Sequence, residues 1–374
     1  MNQSTKWVIG VVIVIAVVAV GYFVSKGPSG PVLTEPIKVG FIGPLTGDAS
    51  SIGTVNKAAV EVAVEEVNKT GGINGRQLQV IYEDGQCNAK AATNAANKLI
   101  NVDKVLVIIG GLCSTETAAF GPMAMQNKVV VFSYGSSAPS LSQIGKYFFR
   151  SYPSDAFQGK FGAEYAYNTM GARKVAIVYH ISEWGTGIKG VFEKRFNELG
   201  GEVVVAEGAP QEARDYRTIM SKVKGLNADL IYMPAYPDGS IVALKQAQEL
   251  GIKTRFLGAD AWADPKMQQE VSGRGDFVFT APVNLSPDNF QQKILAKTGG
   301  KDVPIGTPNA YDNVKILAEV MKKVGTDTDK IQQAIRQIKY DGVSGHVEFD
   351  ANGDVTSANY VVSRIQGGKA VEIK

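Results

Sequence analysis

The chain has 374 residues, 44% of them hydrophobic and 20% charged, the composition of an ordinary globular protein long enough for two domains. Its formal net charge is only +3 and no Lys/Arg run carries interleaved aromatics, so neither a polyanionic partner nor nucleic acid is expected. Two histidines and two cysteines that do not cluster argue against a zinc site.

Residues 1–25 read as a targeting segment: Lys6 precedes a stretch over 7–24 that is apolar apart from its glycines and Tyr22. That stretch just spans a hydrocarbon core and exceeds the usual core of a signal peptide, and neither a small-x-small cleavage site nor a lipid-carrying cysteine follows. An uncleaved signal anchor is therefore read in preference to a cleaved signal peptide, and either one exports the remainder. Residues 26–36, with Gly27, Pro28, Gly30, Pro31 and Pro36, read as a linker outside the fold.

From residue 37 a strand–helix alternation begins. Strands are predicted over 37–42, 78–82 and 105–109, with helices over 53–69 and 89–101. The pattern implies an α/β fold with a parallel sheet covered on both faces, in which ligands bind beyond the carboxyl ends of strands. The turns at 46–53, 110–115 and 133–137 fall there. After the third strand, Gly110 and Gly111 allow close backbone approach, and Ser114 and Thr115 open a helix whose free N–H groups suit a carboxylate. Ser114 either takes part in such a site or caps its own helix.

Cys87 and Cys113 fall just beyond the second and third strand ends. In an exported chain a disulfide is the natural reading, contributing on the order of 3 kcal/mol, and two buried free thiols are the alternative. No histidine is near either cysteine in sequence, which argues against a reactive-cysteine enzyme. A fourth strand over 129–132 leads into the small-residue loop Ser133-Tyr-Gly-Ser-Ser-Ala-Pro139, and residues 147–155 read as an extended crossing segment. A second series starts at Phe157, with strands over 175–179, 202–206, 230–233 and 255–257 and helices over 187–199, 216–225 and 240–250. Two such series suggest two lobes with a ligand cleft between them.

Two motifs are set aside. Gly185-Thr-Gly-Ile-Lys-Gly190 has the glycines of a dinucleotide fingerprint, but residues 180–184 separate it from its strand, whereas the fingerprint needs its first glycine tight against the strand end. His180 reads as a surface or hydrogen-bonded histidine. Asp350-Ala-Asn-Gly-Asp354 lacks the glycine position and closing glutamate of a calcium loop and reads as a hairpin turn between strands over 345–349 and 359–365.

The ordered set of segments resembles the type I periplasmic solute-binding proteins of ABC importers, in the leucine/isoleucine/valine branch. The resemblance spans residues 37–374 and rests on Gly43-Pro-Leu-Thr-Gly47, Asn68-Lys-Thr-Gly-Gly-Ile-Asn-Gly75, Asp84 with Cys87, Gly111-Leu-Cys-Ser114 and Ser137-Ala-Pro139. It continues through Phe149-Arg-Ser-Tyr-Pro-Ser-Asp155 with Gln158 and Gly159, Trp184-Gly-Thr-Gly187, Ala310-Tyr-Asp312, Gly345, Phe349-Asp350 and Gly353-Asp354.

What the resemblance implies is two Rossmann-like lobes joined by three crossing strands. The first lobe would be 37–154 plus 281–357 and the second 155–280 plus 358–374, closing on a ligand for a membrane permease. It places the ligand carboxylate on Ser114 and the Ser137 backbone N–H. The ammonium falls on the Gly135 carbonyl, the Ser137 hydroxyl and Asp260, which stands where the branch usually has glutamate. The side-chain pocket falls on Ile52, Leu112, Trp184 and Tyr236, with Ile52 and Trp184 departing from the tyrosines of aliphatic-binding relatives. Gly185 and Gly187 belong to a cleft-lining loop in this pattern, and Trp262 is read as a further neighbour of the cleft.

The expected function is capture of a small apolar amino acid by a monomeric binding protein with no cofactor and no catalytic residue. A binding protein for aromatic acids or amides, or a membrane-anchored sensing ectodomain acting through a partner, are the alternatives. No nucleophile with a base and no paired carboxylates with a shared pocket signature speak for an enzyme.

Overall fold

In the computed structural model, which describes residues 35–300 and 302–373, short apolar runs form strands and the longer amphipathic runs between them form helices. The first series is β1 (Ile37–Gly43), α1 (Ser50–Lys69), β2 (Leu78–Asp84), α2 (Ala89–Asn97), β3 (Val107–Ile109), α3 (Ser114–Gln126), β4 (Val130–Ser133) and β5 (Phe148–Arg150). Its five strands are parallel in the order β2-β1-β3-β4-β5. Every residue of β3, β4 and β5 is buried, as strands covered on both faces must be.

The second series is α4 (Asp155–Glu164), β6 (Lys174–Ile181), α5 (Glu183–Glu198), β7 (Glu202–Pro210), α6 (Arg217–Lys224), β8 (Leu230–Met233), α7 (Pro237–Glu249), β9 (Arg255–Gly258), α8 (Pro265–Val271) and β10 (Phe277–Pro282). The chain then returns to the first sheet through α9 (Asp288–Thr298), α10 (Thr307–Val324) and α11 (Thr328–Arg336). The hairpin of β11 (Lys339–Gly342) and β12 (Gly345–Glu348) follows. It ends in the second sheet with β13 (Tyr360–Gln366) and β14 (Lys369–Glu372). That sheet has the order β14-β13-β10-β9-β8-β6-β7, parallel from β7 to β10 and antiparallel beyond. The result is two α/β lobes joined where the chain leaves β5, leaves β10 and enters β13.

Two of these crossings are pinned together. Arg150, at the first, is fully buried, and its guanidinium donates to both carboxylate oxygens of Asp354 at 2.7 and 3.0 Å and to the Ala138 carbonyl at 2.8 Å. Asp354 lies ahead of the third crossing, so the bidentate pair fixes one connection against the other.

The element boundaries depart from the sequence expectation in places that matter. The helix read over 89–101 is α-helical only to Asn97 and continues as a single wider turn over Lys98–Val102, where Lys98 reaches Glu83 at 2.6 Å and Asp103 at 2.9 Å. The helix read from 187 starts at Glu183, because Ser182 caps it by accepting the Gly185 N–H at 3.0 Å. Gly185 and Gly187 are therefore helical rather than part of a loop. The segment 350–354 is a turn closed by the Phe349–Val355 bridge, but it joins no hairpin of the two expected strands. β12 pairs with β11, and β13 belongs to the other sheet. Among the described residues no helix is long and apolar enough to cross a membrane; the anchor read over 7–24 lies outside them.

Candidate functional site

The order of each sheet reverses once, between β1 and β3 in the first lobe and between β6 and β8 in the second. Strand ends at such points splay their following loops apart and leave a crevice. Here the two crevices face each other and enclose a small cavity of ≈ 30 Å³ whose lining includes Ile52, Leu112, Ser114, Gly135, Ser137, Trp184, Tyr236 and Asp260. All eight pocket and polar residues expected from the sequence thus come together, with Ala49, Cys113, Ala261 and Ile305 beside them.

Ser114 is the first residue of α3, and its hydroxyl does not cap that helix. The oxygen accepts the N–H groups of Ser137 at 3.1 Å and Ala138 at 3.0 Å, which leaves the hydroxyl proton to donate. The Ser137 N–H expected to meet a ligand carboxylate is thus engaged by Ser114 instead. Beneath this turn the buried Glu116 accepts the N–H groups of Cys87 and Cys113, both at 3.1 Å, and burial raises its carboxyl to about 7. The two cysteines are joined as a disulfide with Cα atoms 5.2 Å apart, tying the α3 turn to the end of β2. Gly135 has no room for a side chain, since a Cβ there would lie 2.5 Å from the Leu112 side chain.

On the opposite wall the chemistry is acidic. Asp260 is buried and accepts the Tyr152 hydroxyl at 2.5 Å; burial raises its carboxyl to about 6 against the lowering by that bond. Asp155, also buried, accepts the Ser137 hydroxyl at 2.9 Å on one oxygen, while its other oxygen has no hydrogen-bond partner. Burial, and after it the neighbouring Asp260, pushes Asp155 well above the carboxylate range. Two carboxyl groups that cannot both ionise in a dry site leave it short of positive charge. Asp155 and Tyr152 were not singled out in the sequence, although both lie in the Phe149–Asp155 stretch that carried the resemblance. Their signal was hidden because only the fold places Asp155 against Asp260.

The apolar wall is aromatic. Trp184, in the first turn of α5, stacks on Tyr236 with ring centroids 4.9 Å apart and planes 26° apart. Neither is a loop residue: Tyr236 precedes α7 as its N-cap. Its backbone N–H donates to His180 Nδ1 at 3.1 Å, so neutral His180 carries its proton on Nε2 and donates to the Tyr216 oxygen at 2.8 Å. His180 is fully buried rather than on the surface, and burial lowers it to about 4. Trp262 does not border the cavity. It is fully buried in the second lobe, its indole N–H donating to Ser240 Oγ at 3.0 Å.

The glycines of the apparent dinucleotide fingerprint serve helix packing. A Cβ on Gly185 would sit 2.3 Å from the His180 carbonyl oxygen. The carboxylates of the apparent calcium loop are already engaged, Asp354 by Arg150 and Asp350 by the N–H groups of Asn352 and Asp354. Among the described residues no group of three or more His, Cys, Asp or Glu side chains is arranged to hold a metal ion.

Known proteins bear on this geometry. The chain is 26% identical over 334 residues to the leucine-, isoleucine-, valine-, threonine- and alanine-binding protein of Pseudomonas aeruginosa, covering 88% of this chain and 89% of that protein. The fold superposes on a crystal structure of a leucine-binding protein from Thermotoga maritima with a TM-score of 0.84 and 26% identity, over 90% of this chain and 98% of that one. A solute-binding protein of an R. palustris ABC transporter in complex with benzoate shares the fold alone, at a TM-score of 0.81 and 19% identity, over 90% of this chain and 95% of that one. The periplasmic binding protein family model matches residues 36–370. Two lobes closed over a cavity at facing switch points, and a family match over nearly the whole described fold, place this chain in the periplasmic binding protein family.

Proposed function

We propose that the chain is the extracytoplasmic solute-binding component of an ABC importer, capturing a small apolar amino acid of the branched-chain type by lobe closure and delivering it to a permease without chemistry. The observation that carries this reading is the buried Asp155–Asp260 pair on the wall facing Ser114. A ligand ammonium supplies the missing charge, held by Asp260, the Ser137 hydroxyl and the Gly135 carbonyl, with Asp155 behind them. The ligand carboxylate takes the Ser114 hydroxyl proton and the N-terminal N–H groups of α3. Ile52, Leu112, Trp184 and Tyr236 cover an aliphatic side chain. The two bodies that close are residues 37–154 with 281–357 and 155–280 with 358–374, acting as a monomer outside the cytoplasm and tethered through residues 7–24. The relatives named above support the amino-acid class. An aromatic acid without an amino group is disfavoured, because its carboxylate adds negative charge beside two buried acids.

The test is calorimetric titration of the full chain, stripped of carried ligand, with the twenty amino acids and benzoate. Leucine, valine, isoleucine or alanine should bind saturably. Asp260→Ala should cost about 100-fold or more in affinity, as removal of a buried charge partner does, and Ser114→Ala about tenfold. Binding of benzoate with no amino acid would defeat the reading.

A further inference from the structure

Outside the ligand cavity the closed lobes form a second feature, an open groove of ≈ 560 Å³. One wall comes from the first lobe, including Ala118 and Ala119 of α3; the other comes from the second, with Ile181 and Glu183 after β6 and Pro210 and Glu212 at the end of β7. The groove belongs to neither lobe alone. It sits beside β2 and β7, which are the edge strands of their sheets, whereas the crossings between lobes leave from β5, β10 and β13, on the far side of each sheet's switch point. In a rotation about those crossings the points farthest away move most, so the two walls part as soon as the lobes open. In the closed form they are held by the Glu183 N–H donating to Thr115 Oγ1 at 3.3 Å and by Ser140 Oγ donating to the Glu183 carboxylate at 2.6 Å.

The chemistry of the groove is distinctive. Ile181 is 58% exposed at its floor, a large apolar side chain left in water. The charged residues lining it are Glu183 and Glu212, with no lysine or arginine among the lining, in a chain whose net charge is positive. Among the described residues neither glutamate has a basic ion-pair partner.

We propose that this composite groove is a docking surface that exists only in the closed state. Its partner is an extracytoplasmic segment of the importer's membrane subunit that presents a lysine or arginine flanked by apolar side chains. The cation fits between Glu183 and Glu212 and the apolar neighbours cover Ile181. The proposal rests on the importer reading given above and adds to it where, and by what chemistry, closure is read. Open protein presents half of the surface, so the partner distinguishes the two states through contacts made with both walls at once.

The test uses the full chain in its parent cells, with the chromosomal copy replaced by wild type, Ile181→Asp, Glu212→Lys or the control Leu226→Asp. Leu226 is exposed ahead of β8, at the strand ends turned away from the cleft. Uptake of radiolabelled leucine and valine is measured in the cells, and calorimetric affinity for the same amino acids on each purified protein. The expected result is a fall in uptake of at least about tenfold for Ile181→Asp and Glu212→Lys, with affinities within about twofold of wild type and Leu226→Asp unaffected. Uptake at the wild-type rate in both groove variants would overturn the proposal, as would a loss of affinity that accounts for the lost uptake. If the wild type itself binds neither amino acid, the importer reading falls and the docking surface with it. If it binds and transports normally through the altered groove, the docking surface alone falls.

Discussion

Asp260 carries opposite duties in the free and the occupied protein. Its folded carboxyl titrates near 6 and an unfolded aspartate near 3.8, so the folded chain holds this proton to higher pH. The group therefore removes stability as pH rises from about 4 through 6, a deficit on the order of 2–3 kcal/mol that is complete above that window. His180 acts in the reverse sense over nearly the same range: folded near 4 against 6.5 unfolded, it adds stability as pH rises through that interval. The two nearly cancel in the wild-type profile, and a substitution separates them. Asp260→Asn should melt a few degrees above wild type at pH 7.5, with the gap closing toward pH 4, while its amino-acid affinity falls about 100-fold; scanning calorimetry across pH with and without ligand checks both. A stabilised variant that has lost its ligand is the expected mark of a site whose charge is completed only by what it binds.

At the scale of elements, the start of α5 decides the aromatic wall. Gly185 and Gly187 look like loop residues in sequence, yet each is small because something presses on the helix. The His180 carbonyl oxygen would lie 2.3 Å from a Cβ on Gly185, and Pro139 Cδ 3.1 Å from one on Gly187. Nothing lies within 4 Å of a Cβ on Gly190, three residues further on. Gly185→Ala should therefore cost about 1–3 kcal/mol in thermal stability and displace Trp184 enough to weaken ligand binding several-fold. Gly190→Ala should be neutral or stabilise by up to about 1 kcal/mol through helix propensity, with affinity unchanged. Melting temperature and titration on both variants separate a packing requirement from a general intolerance of the helix to alanine. The same comparison explains why the strands were easier to foresee than this helix. An apolar run such as Val107–Ile109 declares its burial locally, whereas a glycine inside a helix looks the same as a glycine in a loop until its neighbours are known.

For the whole molecule, closure rests on a few contacts that touch no ligand. Ser51 Oγ donates to Asp264 at 2.8 Å and Arg214 reaches Asp48 at 2.5 Å, each joining the first lobe to the second. Such contacts enter ligand affinity through the population of the closed state. Ser51→Ala removes one neutral-to-carboxylate bond worth about 1 kcal/mol, so ligand affinity should fall about three- to tenfold although the residue is remote from the ligand. Small-angle scattering should then show the free variant more open than free wild type, and saturating ligand should return both to the same dimensions. An unchanged affinity would mean that the Ser51–Asp264 bond follows closure without contributing to it.

What the sequence alone determined was local in origin. Runs of apolar residues set the strands, their alternation with amphipathic stretches set the parallel sheets, and the glycines and hydroxyls of 110–115 and 133–137 marked one wall of the cavity. The resemblance then located Ile52, Trp184, Tyr236 and Asp260, which the fold brings to one cavity. Tertiary structure decided the pairings. Asp155 faces Asp260, Arg150 holds Asp354 across 204 residues, Trp184 leans on Tyr236, and Ser114 takes the amide expected for the ligand. Burial and charge neutralisation are properties of juxtaposed surfaces rather than of any stretch of chain. They became visible only when two sheets, each with its own switch point, were set face to face.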